Sequence, residues 1–197
     1  MIRKVDFSSQ INHIFSLELK ERQIELGKIH ANILRDYLKS VNIFTEKNAS
    51  LPANDGRTVA QVVGHIMEWE RYFIQSLGEM LSGVERPSGM TFSGFVEIDG
   101  HIRNFTGVDE FNAYQEEKHK AWPWEKIRQM AAQTSFTLYR LYATPNLFPL
   151  DILDKTCDQK WTPPGKSEIV IPYGWFNWVI AIEHIVEHYA SDLEIMA

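Results

Sequence analysis

Four stretches of the chain repeat apolar residues at intervals of three and four, and that rhythm constrains the fold more than any other feature of the sequence. From Ile24 the apolar positions run Leu26, Ile29, Ile33, Leu34, Tyr37, Leu38 and Val41. The segment TVAQVVGHIMEWERYFIQSLGEML puts Val62, His65, Ile66, Trp69, Phe73 and Leu77 on adjoining positions of one side. In PWEKIRQMAAQTSFTLYRLYA the stripe is Ile127, Met130, Ala131, Thr134, Leu138, Leu141 and Tyr142, and YGWFNWVIAIEHIVEHYASDLEIMA closes the chain from Tyr173. A period near 3.6 is that of a helix with one buried face. Four such helices satisfy their apolar stripes by packing on one another, so the expected fold is all-α, a four-helix bundle. Strand signals are too sparse for a fold built on a sheet.

The boundaries come from turn and cap chemistry. Thr58 is the expected N-cap of the second long helix, after a loop containing Pro52 and Gly56. Pro123 suits the first turn of the third, and Pro172 precedes the fourth. Residues 84–122 form a long connection between the second and third helices. Within it, VDEFNAYQEEKHKAW reads as a short polar helix. A second long connection, rich in proline, holds SEIVIP as a short extended stretch. Residues 1–20 are an N-terminal arm or an extension of the first helix, and the whole, 1–197, is read as one domain. A hydrophobic fraction of 44%, with six Trp and eleven Phe, is enough to fill its core.

Charge and targeting signals exclude several classes. A net charge of −6 without a Lys/Arg block argues against nucleic acid as a partner. No apolar run approaches the roughly 20 residues that span a bilayer, and MIRKVDFSSQINH lacks the core of a signal peptide. No membrane association and a cytoplasmic location are therefore expected. The lone Cys157 permits neither an intrachain disulfide nor a multi-cysteine zinc site.

The chemistry-bearing residues are histidines. In HIVEH, His184 and His188 lie one helical turn apart on one face and can aim at one point. Seven histidines in 197 residues make one such pair an ordinary chance event, so a third ligand is needed. His65 supplies it: it lies on the core-facing side of the second long helix, beside Gly64, whose missing side chain admits a close neighbour. A core histidine needs partners for its ring nitrogens, and facing bundle helices build metal sites from such side chains. His119 follows Glu116 at Glu-x-x-His spacing, but a di-iron site needs that motif twice, and QEEKHK reads as solvent-facing. HIVEH also matches the inverted zincin motif. That motif needs an acidic ligand far downstream, and only nine residues follow His188. The expected ligands are thus His65, His184 and His188, for a divalent ion such as Zn, Ni or Fe. Glu187 and Glu68 are candidate bases beside them, and Trp69, Tyr72 and Trp178 are candidate pocket walls.

The helix TVAQVVGHIMEWERYF and the closing EHIVEHYASDL together resemble the DinB/YfiT-like superfamily over roughly residues 20 to 197. The resemblance implies a four-helix bundle in which one histidine of the second helix and an H-x-x-x-H pair of the fourth bind a divalent metal. Here those are His65, His184 and His188. HIMEWERYF and EHIVEHYASDL are also similar to the ClbS/DfsB branch, linked to protection against a reactive cyclopropane metabolite. Other members transfer or isomerise with low-molecular-weight thiols. The resemblance therefore implies a metal-dependent hydrolase or thiol transferase acting on a small, electrophilic molecule, and a homodimer. The alternatives are a protein that binds and sequesters a small molecule without turnover, and a degenerate bundle without metal.

Overall fold

The computed structural model describes residues 4–163, 167–189 and 193. The chain is mostly helical. In order it forms α1 (Lys4–Phe15), α2 (Leu19–Ile43), α3 (Glu46–Ala49), α4 (Val59–Leu81) and α5 (Ser88–Thr91). Next come the hairpin β1 (Ser93–Val96) and β2 (Ile102–Asn104), then α6 (Val108–His119), α7 (Trp124–Ala143) and α8 (Asp151–Asp154). A second hairpin, β3 (Asp158–Trp161) and β4 (Ile169–Pro172), leads into α9 (Tyr173–His188). Among the described residues no helix is long and apolar enough to cross a membrane.

The four longest helices bury their stripes against one another. α4 packs on α7 and α9, and α2 packs on the same two. Every α2 position from Leu26 to Val41 in the expected stripe is buried, whereas Ile24 is exposed. On α7 the buried line passes through Ser135 rather than Thr134. The reason is polar: Ser135 Oγ donates to the buried Glu70 of α4 at 2.5 Å. The tryptophans of α9 fill the centre, Trp178 stacking on Tyr142 at 5.1 Å and on Trp175 at 6.2 Å. The N-terminal segment makes its own helix. α1 ends before a turn at Ser16–Leu17 and buries Phe7, Ile11 and Ile14 against α2 and α9.

Thr58 caps α4 as its sequence suggests. Its side chain accepts from Gln61 N while Gln61 Oε1 accepts from Thr58 N, a reciprocal capping box. Such a cap contributes about 1 kcal/mol and fixes where the helix starts, hence which way His65 points. The Gln61 amide nitrogen also reaches Glu116 of α6 at 3.1 Å.

The connection 84–122 builds a second, smaller aromatic core on the outer side of α4. Tyr72, Phe95, Phe105 and Phe111 are buried there, with Trp69, Phe92 and Tyr114 at its edge. The β1–β2 hairpin is antiparallel, with Phe95 opposite Arg103 and a bulge between Ser93 and Phe95. The Gln75 amide bridges it to α4, donating to Gly94 O at 2.7 Å and accepting from Val96 N at 2.8 Å. The β3–β4 hairpin pairs Asp158 with Pro172 through to Trp161 with Ile169, so SEIVIP does supply a strand. Its Trp161 indole donates to the buried Glu183 of α9.

Candidate metal centre

Helix periodicity and the packing of α9 on α4 bring the three expected ligands together. His184 and His188 stand one turn apart on α9, and α9 lies against α4 at the level of His65. His184 Nε2 is 3.0 Å from His65 Nε2 and 3.1 Å from His188 Nε2. All three rings are half-buried, and their ligand atoms lie within 4.8 Å of one another. Three nitrogens around one tetrahedral zinc ion stand roughly 3.3 Å apart, close to these spacings.

The donor set fits a cation. A neutral imidazole Nε2 carries either a proton or one lone pair in the ring plane. His184 Nε2 therefore completes only one of its two contacts by a hydrogen bond. A cation accepting three lone pairs would satisfy every ring at once. Electrostatics favours the same state: His65 is pushed down to about 3, first by burial and then by the charges of His188 and Arg57. A histidine held neutral near pH 7 is in its ligating form.

Around the triad, the 52–58 loop presents Arg57, whose Nη2 is 3.4 Å from His188 Nδ1. Asp55 holds that guanidinium, with its Oδ2 at 2.6 Å from Nε and 2.5 Å from Nη2. On the other side Trp69 is edge-on to His184 and His65, at 5.9 Å and 6.5 Å between centroids, and its indole N–H donates to Asn112. Arg57, Gln61, His65, Asn112, Glu116 and His119 line a cleft of about 30 Å³, room for water rather than for a substrate. A larger cleft of about 260 Å³ shares Gln61 and His119 with it and runs out to Trp122 and Trp124.

The other sequence candidates lie as follows. Glu187 is exposed on α9. Glu68 is fully buried and accepts from Arg71 at 2.6 Å, Lys118 at 2.9 Å and His119 Nε2 at 3.1 Å. Burial works to raise its pKa, but the His119 hydrogen bond and the Arg71 and Lys118 cations outweigh it and hold the carboxyl down at about 2. Lys118 also bonds Glu97 of the connection between β1 and β2 at 2.6 Å. Trp69 is the aromatic candidate beside the histidines. Tyr72 lies in the smaller core with its hydroxyl on Ser88 O, and Trp178 lies in the main core with its indole N–H on His30.

His119 departs from its solvent-facing reading, since it is only 3% exposed. Its ring lies on Gly64, where an added Cβ would stand 2.5 Å from Nδ1. Glycine at that position is what admits α6 so close to α4. The contribution of α6, through Asn112, Glu116 and His119, was not legible in a string as polar as QEEKHK. Nor was that of Asp55 and Arg57, which lie in a loop without periodicity. The one signal for α6 was Gly64, which announced a close neighbour without naming it.

Fold and site together define a mostly helical protein in which three histidines from two helices can hold a metal ion. No family model matches the chain, no curated protein matches it, and no solved structure matches it.

Proposed function

We propose that this chain is a metal-dependent enzyme, a DinB/YfiT-like four-helix bundle of α2, α4, α7 and α9, that acts on a small electrophilic molecule by hydrolysis or thiol transfer. The observation that carries the reading is the convergence of three Nε2 atoms from α4 and α9. Three imidazoles leave at least one coordination position open, the pattern of catalytic rather than structural sites. A divalent ion such as Zn, Ni or Fe, when bound, would make a coordinated water or low-molecular-weight thiol acidic enough to act as a nucleophile near neutrality.

The chain's own residues then have distinct tasks. His65, His184 and His188 hold the ion, and Trp69 gives the site an apolar wall. Glu187, exposed beside His188, is the carboxylate assigned to accept a proton from the nucleophile. Glu68, accepting from Arg71, Lys118 and His119, ties α6 to α4. The resemblance also carries a homodimer, which light scattering on the purified protein checks.

The test is turnover. Hydrolysis and thiol-transfer screens with electrophilic substrates are run with and without a chelator. Chelator-sensitive activity, lost in His184→Ala, is the expected result. Tight binding of an electrophile without turnover points to a sequestering protein instead.

A further inference from the structure

His119 is buried, yet its ring forms part of the wall of two clefts, the small one it shares with His65 and the larger one of about 260 Å³. The two ring nitrogens are used differently. Nε2 is 3.1 Å from Glu68 Oε1. Glu68 also meets Arg71 and Lys118, and its carboxylate can only accept, so Nε2 carries the proton. The neutral ring then presents Nδ1 as an acceptor. No described residue hydrogen-bonds Nδ1. It lies on the α4 side of the ring, where a Cβ at Gly64 would stand 2.5 Å from it. Glycine at that position therefore keeps the acceptor uncovered as well as letting α6 approach.

The larger cleft has the form of a small-molecule site. Its floor holds the buried His119 and Trp124, and Ala60 and Trp122 form half-buried sides. The Trp124 indole N–H is spent on Phe44 O at 3.0 Å, so its ring offers apolar surface. Glu46 and Lys120 stand exposed on the rim with opposite charges, which favours neither an anion nor a cation. Ligand pockets run from about 300 Å³ upward, so this volume suits a compact molecule.

Resting on the three-histidine reading above, we infer that this cleft binds the substrate and that His119, fixed by Glu68, selects it: a small uncharged molecule with an apolar body and a hydroxyl or N–H group that donates to Nδ1. Gln61 and His119 belong to both clefts, so a molecule held there has its donor end beside the space that opens on His65. That space, about 30 Å³, is too small for the whole molecule, and the body rests on the tryptophan side.

The experiment titrates phenol and anisole, two neutral rings that differ by one O–H donor, into the full chain with nitrogen-15-labelled histidine and tryptophan. Phenol is expected to shift the His119 Nδ1 and Trp122 indole signals. It should bind roughly 2- to 10-fold more tightly than anisole, the worth of one hydrogen bond. In His119→Phe that preference should vanish. Ala60→Leu fills the cleft from the first turn of α4 and leaves Glu68 and its partners alone. It should remove the binding of both rings with helical circular dichroism unchanged. Zinc, followed by competition with a coloured chelator, should bind Ala60→Leu as it binds the unsubstituted chain. If zinc binds but phenol and anisole bind alike, or phenol binding survives Ala60→Leu, this inference alone falls. If the unsubstituted chain binds no zinc, the three-histidine reading falls, and the assignment of the cleft to a substrate falls with it.

Discussion

Two polar clusters share helix α4 within one turn, and they are finished differently. Around Glu68, every charge has an answer: one carboxylate meets Arg71, Lys118 and His119, and Lys118 meets Glu97 as well. Around His65, three like groups point their ring nitrogens at one another. A buried ionic cluster with full pairing stabilises an arrangement. A convergence of three imidazole nitrogens is a set of atoms that could hold a metal ion. The contrast teaches that His65 and Glu68, three residues apart on one helix, sit in differently composed clusters: His65 among imidazoles that could hold a metal ion, Glu68 among charged partners from α4 and α6.

The sharpest break between the two clusters is expected on removing their centres. Glu68→Gln leaves Lys118 and Arg71 facing a neutral group in a buried setting, at about 3 kcal/mol of stability. His188→Ala in metal-free protein should change stability by less than about 1 kcal/mol. Denaturant melts of the two variants make the comparison, and equal losses would show that both clusters are structural. Next in size is Gly64→Ala. Its new methyl meets the His119 ring, so a loss of about 1–3 kcal/mol is expected as α6 is pushed outward.

A third polar group on the same helix makes a contrast that is read through pH. Glu70 is fully buried with Ser135 as its donor, and burial pushes it up to about 8 against the lowering effect of that bond. Its folded pKa lies above the unfolded one, so its contribution is whole below about pH 4.5 and is lost as pH rises through about 8. The slope is at most about 1.4 kcal/mol per pH unit. His30, buried and pushed down to about 3, acts in the opposite sense, losing its contribution as pH falls from about 6.5 towards 3. Melting temperatures should therefore stay nearly level from about pH 5 to about 6.5, where the two slopes oppose, decline from about 6.5 to about 8 and level off above it; Glu70→Gln should remove that decline and leave a rise towards about pH 6.5 from His30.

How much of the molecule is legible in its sequence divides along the same line. The helices were legible because a 3.6-residue period survives in any sequence that buries one face. The triad was legible because two of its members share that period and the third sits on the core side of a second helix. Glu68 could be placed on the His65 side of its helix, but much of its cluster, Glu97, Lys118 and His119, comes from far along the chain. Pairing at that separation leaves no local pattern. Ser135 in place of Thr134 is the same case, since the choice belongs to Glu70 on another helix. Asp55 and Arg57 were hidden because loop residues carry no period at all.

Everything proposed for the site depends on three histidines holding one metal ion. X-ray absorption on the purified chain loaded with one equivalent of zinc tests that most directly. The predicted spectrum has three imidazole nitrogens at about 2.0 Å with one further light ligand, and it changes in His65→Ala, His184→Ala and His188→Ala alike. Zinc that fails to bind at one equivalent, or a spectrum that survives all three substitutions, would contradict it.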